Sequence, residues 1–270
     1  MSDPKTTDMD DAYANGAYID GAEKYPTKWA EAAAEFRANT PCELDIVYGR
    51  RAREKYDLFF PEGPPKGLFV FVHGGYWLDF DKSTWSHLAQ GAVQNGYAAM
   101  VPSYELCPHR YITEITRGVG RAINHAAVRI EGPIVLSGHS AGGHLVARQI
   151  CQDGPLDSSV AKRVARVVGI SGLYDLEPLM RTGMNENLRI NEVEAVGESP
   201  VRKRPLDHAT FIAWVGSQER PEFRRQSRAI CDAWTGAKAF HVEDEGKHHF
   251  DVIDGLADPD SPLTKAALGL

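Results

Sequence analysis

A chain of 270 residues with a formal net charge of −7 gives no electrostatic footing for a phosphate backbone, so nucleic acid is not an expected partner. Its 43% hydrophobic and 25% charged residues are ordinary for a globular protein, and a chain of this length suits a single α/β domain, 1–270, around one large core. No apolar run approaches the ~20 residues that span a bilayer, the start "MSDPKTTDMDDAY" is acidic and polar where a secretory leader would be basic and then apolar, and the four cysteines are scattered without a C-x-x-C pair. We therefore expect a soluble, cytoplasmic protein with reduced thiols, no membrane association and no zinc site.

In chain order, residues 1–26 carry no strong apolar period and read as an irregular arm. "TKWAEAAAEFRANT" places Trp29, Ala33 and Phe36 at i, i+4 and i+7 behind Thr27 as N-cap, which predicts a short amphipathic helix lying over the domain, so that arm and helix together occupy 1–40. "ELDIVYG" and "KYDLFFP" read as an early hairpin, and "GLFVFVHGG" (67–75) as a strand buried on both faces. Strands are also predicted at 97–106, 133–140, 165–172, 210–217 and 238–244. Helices are predicted at about 82–95, 112–130, 141–153, 221–235, 248–257 and 262–269. This alternation implies a mainly parallel eight-stranded sheet flanked by helices on both faces. The stretch 173–205 is longer than a simple crossover and follows a strand's carboxyl end, so it is a candidate cap; its "RKR" reads as a solvated cluster.

The sharpest motif is "GHSAG" (138–142), which matches G-x-S-x-G directly after a predicted strand and before a predicted helix. A strand-to-helix elbow of this kind leaves a serine exposed at the top of the sheet, its glycines removing side chains that would clash, and it makes Ser140 the candidate nucleophile. Attack on a carbonyl drives negative charge onto oxygen, which needs pre-aimed N–H donors. Ala141, after the serine, and Gly75 and Tyr76 in "HGGYW" (73–77) are the expected donors of this oxyanion hole, with Gly74 an alternative. His73, His139 and His144 read as structural, the last two turned away from the serine's outer face. The ten histidines show no H-E-x-x-H spacing, so a metal is not expected, and acyl transfer to a serine needs no organic cofactor.

The base should follow the last major strand, where "EGKHHFDVID" lies. A helix starting near 249 would place His249 with Val252, Ile253 and Leu256 on the sheet-facing side and His248 with Asp251 and Asp254 toward water, which selects His249. The acid that holds its tautomer should sit after the strand "FIAWVGS". Glu219 comes first; Glu222, Glu243 and Asp244 remain rivals.

With these residues in view, the sequence resembles the kynurenine formamidase (arylformamidase) family of α/β-hydrolases. The resemblance spans nearly the whole chain, through "YPTKW", "KYDLFFP", "HGGYW", "GHSAGGHL", "SGLYDLEPL", "PEFRRQS" and "HFDVIDGL". It implies the α/β-hydrolase fold, the same Ser140 and His249, and an acid at 219, where family members usually carry aspartate before an "SPEF"-like stretch and this chain has glutamate and arginine. It also implies hydrolysis of N-formyl-L-kynurenine to L-kynurenine and formate, with a carboxylesterase or another small-amide hydrolase using the same triad as the alternative. A formyl group offers little to recognise, so selectivity falls to the leaving-group side, where Tyr76 and Trp77 are the candidate substrate-binding residues. The expected partner is a small aryl formamide or ester. The sequence leaves the oligomeric state open, a homodimer among the options.

Overall fold

The computed structural model describes residues 8–270, so the first seven residues of the predicted arm lie outside it. Eight strands form one sheet in the order β1-β2-β4-β3-β5-β6-β7-β8. They are β1 (Cys42–Val47), β2 (Lys55–Phe59), β3 (Leu68–Val72), β4 (Ala98–Pro102), β5 (Ile134–His139), β6 (Val164–Ile170), β7 (Thr210–Gly216) and β8 (Lys238–Asp244). β1 pairs antiparallel with β2, and β2 with β4; every later pairing is parallel. This is the α/β-hydrolase arrangement, and all eight predicted strands are present.

The apolar runs of the central strands divide by alternation between two cores. Leu68, Val70 and Val72 of β3 join Ile134 and Leu136 of β5 on one face, beneath the helices Ile112–Ala127, Ala141–Gln149 and Pro221–Ala233. Phe69 and Phe71 point to the other face, with Trp29 and Phe36 of the helix Tyr25–Asn39 and Leu263 and Ala267 of the helix Pro262–Leu268. Among the described residues, no helix is long and apolar enough to cross a membrane.

Three predicted helices differ in the structure. The N-terminal helix starts at Tyr25 with Pro26 in its first turn, two residues before the expected Thr27 cap, because a proline's missing N–H costs nothing there. The segment predicted as one helix over 82–95 is broken into 3-10 turns Lys82–Thr84 and Ser86–Ala89 before the short helix Gln90–Gln94. Trp85 leaves helical geometry at φ −121° and is buried against Trp29, its ring 4.6 Å away. The helix expected over 248–257 is absent apart from a 3-10 turn at Asp254–Ala257. There the backbone is diverted by side chains: His248 Nδ1 accepts from the N–H groups of Phe250 (3.1 Å) and Asp251 (3.3 Å), while Asp251 Oδ1 accepts from the N–H of His248 at 2.8 Å.

The arm is less irregular than expected. Asp8 caps a helical turn Met9–Ala12, and 3-10 turns follow at Gly16–Tyr18 and Ala22–Lys24. Their partners lie far along the chain. Tyr13 donates its hydroxyl to Glu222 (2.9 Å) and accepts from Gln226 (3.1 Å), Asp10 accepts from the Gly183 N–H (2.7 Å), and Arg220 binds the Asp11 carboxylate.

Candidate active site

Ser140 sits between β5 and the helix Ala141–Gln149 at φ 55°, ψ −118°, a region that side chains avoid and that marks a strained, over-determined turn. The glycines on either side make the turn feasible. A Cβ on Gly142 would lie 2.0 Å from the Val72 carbonyl oxygen, and one on Gly138 would lie 2.2 Å from that of Gly142. The Ser140 N–H is tied to the Ile170 carbonyl on β6 at 2.8 Å, which fixes the elbow to the neighbouring strand.

The loop after β3 is pressed onto the same point. A Cβ on Gly74 would meet that of Ser140 at 3.0 Å, so this glycine supplies close approach. Tyr76 and Trp77 are both left-handed, at φ 51° and 57°, and the Gly75 carbonyl accepts from the N–H groups of Leu78 (2.9 Å) and Asp79 (3.1 Å). Among the described residues, the N–H groups of Gly75, Tyr76 and Ala141 find no acceptor. Trp77 anchors the turn: its carbonyl accepts from Cys107 N–H at 2.8 Å, and its side chain is fully buried with its ring 5.1 Å from that of His144. The expectation that Trp77 contacts substrate is therefore corrected. It is a core residue, turned inward by the geometry that leaves Tyr76 on the cavity wall.

His249 and Glu219 meet. Glu219 Oε2 accepts from His249 Nδ1 at 2.6 Å, with both side chains almost wholly buried. The other oxygen accepts from the Gly216 N–H at 2.8 Å and from the Ser171 hydroxyl. Phe223 lies against the imidazole at 4.4 Å between ring centres. The rival acids are held elsewhere: Glu222 by Arg225 and Tyr13, Glu243 by Arg224 and Arg228, and Asp244 by the indole of Trp214. His248 bonds to Tyr25 and Asp251. His249 thus faces inward although the helix used to argue for it is not formed; Val252, Ile253 and Leu256 are buried through turns instead.

His73 binds the Gly74 carbonyl at 2.8 Å and stacks on Tyr104, and His144 binds the Glu198 carbonyl at 2.7 Å. His139 departs from the expectation that it points away. Its Nε2 donates to the His249 carbonyl at 2.9 Å, and its ring forms part of the cavity wall. Burial first, and the neighbouring His249 second, push its pKa well below the ordinary imidazole value and keep it neutral.

Ser140, His249, Gly75 and Tyr76 open onto one cavity of about 520 Å³. Its remaining walls come from Tyr13, Ala14, Asn15 and Glu23 of the arm, and from the aromatic rings of Trp29, Phe80, Trp85 and Phe250, none of which was a candidate site residue. No residue of the candidate cap 173–205 lines it. That segment buries Leu173, Leu176 and Leu179 in the core, and its Glu198 pairs with Arg148 at 3.1 Å. The arm encloses the cavity because Tyr13 and Asn15 reach the oxyanion loop directly: Tyr76 donates its hydroxyl to the Tyr13 carbonyl at 2.7 Å and accepts from Asn15 at 3.3 Å. The sequence signal for this wall was the aromatic density of "YPTKW" and "HHF"; Ser171, which holds the acid, opens the stretch "SGLYDLEPL", but nothing in that stretch marks it as the acid's anchor.

Comparison with known proteins agrees with this architecture. Residues 56–226 match the BD-FAE family. A kynurenine formamidase of Danio rerio is 31% identical, over 86% of this chain and 83% of its own, and one of Drosophila melanogaster is 29% identical over 82% and 78%. A crystal structure from Silicibacter sp. TM1040, described as a "putative thioesterase", is 51% identical and superposes with a TM-score of 0.93 over 96% of this chain and 98% of that one.

Proposed function

Because the chain belongs to the BD-FAE family of kynurenine formamidase-like α/β-hydrolases, we propose that it is a serine hydrolase that cleaves the formyl amide of N-formyl-L-kynurenine or a related aryl formamide, releasing the aryl amine and formate. The observation that carries this reading is the 2.6 Å bond between Glu219 and His249, buried beside a cavity that Ser140 shares.

In the mechanism, Glu219 accepts a hydrogen bond from the Nδ1–H of His249, which fixes the tautomer and leaves the Nε2 lone pair to act as base. Ser140 Oγ attacks the formyl carbon while Nε2 takes its proton. The N–H groups of Gly75, Tyr76 and Ala141 receive the charge that develops on the formyl oxygen. His249 then passes its proton to the departing amine, and a water activated by the same imidazole releases formate from the acyl-enzyme. The strain at Ser140, Tyr76 and Trp77, of order 1–3 kcal/mol each, is offset by the packing that holds elbow and loop together, so these groups need no rearrangement during reaction.

The Silicibacter relative is described as a thioesterase, which keeps open a second reading, an ester or thioester hydrolase acting through the same residues. Measuring kcat/KM on N-formylkynurenine and formanilides against short aryl acetates separates the two. The formamidase reading expects the formamides to lead, and a clear preference for acetates would defeat it. Under either reading Ser140→Ala loses at least ~10³-fold in kcat.

A further inference from the structure

Arg220 follows the acid Glu219 directly, and its side chain reaches the arm. Its Nη2 donates to the Asp11 carbonyl at 3.1 Å and to the Asp11 carboxylate, while its guanidinium lies over the Tyr18 ring, 3.6 Å from the ring centre. The Tyr18 hydroxyl donates to the other oxygen of the same carboxylate. One side chain therefore clasps two points of the arm. Between them lie Tyr13, Ala14, Asn15 and Gly16, which line the Ser140 cavity, and a Cβ on Gly16 would lie 3.8 Å from the Phe250 ring.

The backbone of this segment bonds to itself: the N–H groups of Ala12, Tyr13, Ala14, Asn15, Tyr18 and Ile19 donate to carbonyls a few residues back within the arm. Side chains dock it on the body. Tyr13 fixes the first half through Glu222 and Gln226, and its carbonyl holds Tyr76 of the oxyanion loop. The second half is tied by Asn15 to Tyr76 at 3.3 Å, long for such a bond, and by the charged and cation–π contacts of Arg220, which are the stronger kind. A ligand that binds an already ordered wall does not lose affinity in ordering it. The clasp therefore acts on the group that touches Ala14–Gly16, while Tyr13 keeps the oxyanion loop in place without it.

We propose that Arg220 is a specificity-determining residue: by clasping Asp11 and Tyr18 it preorganises the wall Ala14–Gly16 for the leaving group, and so favours aryl over small alkyl leaving groups. The proposal rests on the hydrolase reading of Ser140 and assigns part of its selectivity to a residue outside the triad.

The test uses the full chain with 1-naphthyl acetate, its formamide counterpart N-formyl-1-naphthylamine, and methyl acetate. Arg220→Ser removes the clasp while leaving a preferred N-cap residue at the start of the helix Pro221–Ala233, and Asp11→Asn removes the charge on the arm's side. Each variant should raise KM for both naphthyl substrates about threefold or more, with kcat within twofold and the KM for methyl acetate unchanged. The double variant should raise it no further than the larger single effect, because both changes remove one contact. Hydrogen exchange over residues 12–19 should quicken about threefold or more in each variant, while β5 and β6 exchange as in the parent. Exchange needs no turnover: a chain inactive on every ester and formamide defeats the hydrolase reading and the selectivity with it, while the clasp is still judged by exchange. Unchanged exchange in both variants overturns the proposal. So do an equal rise in KM for methyl acetate, additive effects in the double variant, or a loss confined to kcat, which would place the effect of Arg220 on the triad.

Discussion

Glu219 divides its two oxygens between two tasks. Oε1 is held by Gly216 and Ser171, and this leaves Oε2 free to hold His249. Ser171 is itself left-handed, at φ 52°, with its N–H on the Trp214 carbonyl at 2.7 Å, so the acid is anchored to the ends of β6 and β7. Removing the charge and keeping the shape should be more harmful than shortening the chain. Glu219→Gln presents an amide where the imidazole needs an acceptor, and a kcat loss on the order of 10³-fold is expected. Glu219→Asp keeps the charge but cannot span both anchors, and about a 10-fold loss is expected. Steady-state kinetics on the preferred substrate checks both; a Gln variant with more than a tenth of the parent kcat would mean that the Nδ1 bond does not organise the base.

At the scale of elements, the arm acts as the cavity's outer wall and as a strut. Tyr13 joins the oxyanion loop, through its carbonyl and Tyr76, to the helix Pro221–Ala233, through Glu222 and Gln226, and its ring meets Phe223 edge-on at 5.8 Å. Phe223 in turn touches His249. Tyr13→Phe keeps the packing and leaves polar partners unsatisfied, at a cost of about 1–3 kcal/mol. Tyr13→Ala also removes the ring and should cost about 3–5 kcal/mol, with a raised KM for aryl substrates because a wall is lost. Urea titration and KM measurement on the two variants check this order. Equal stability for the two would show that the ring's contacts with Phe223 contribute little.

At the scale of the whole molecule, several histidines are buried neutral. His73, His144 and His87 have pKa values pushed down to about 4, with burial the leading cause, and His139 is lowered as well. In the unfolded chain the same imidazoles titrate near 6.5. As pH falls below that value the unfolded state takes up protons that the folded state refuses, so the stabilisation is complete above about pH 6.5 and is lost progressively toward pH 4. Urea midpoints should therefore fall between pH 7.5 and 4.5, before the carboxylates held low by ion pairs, such as Asp153 beside Lys203 and Arg148, begin to protonate. A midpoint unchanged over that interval would contradict this account.

The sequence by itself determined what is written in local pattern. Alternating and continuous apolar runs specify strands wherever they occur, and the glycines of "GHSAG" and "HGGYW" specify turns that only a residue lacking Cβ can make at those contacts. Tertiary structure alone decided which of those local features shares a space. Trp77 and Tyr76 are neighbours in sequence with nearly the same φ, yet one is core and the other cavity wall, because the direction of a side chain in a left-handed turn depends on what the surrounding helices leave empty. The residues of the arm, with no period to read, acquire their role only from Glu222, Gln226 and Tyr76 more than sixty positions away in the chain, and hydrogen bonds over that separation leave no local signature.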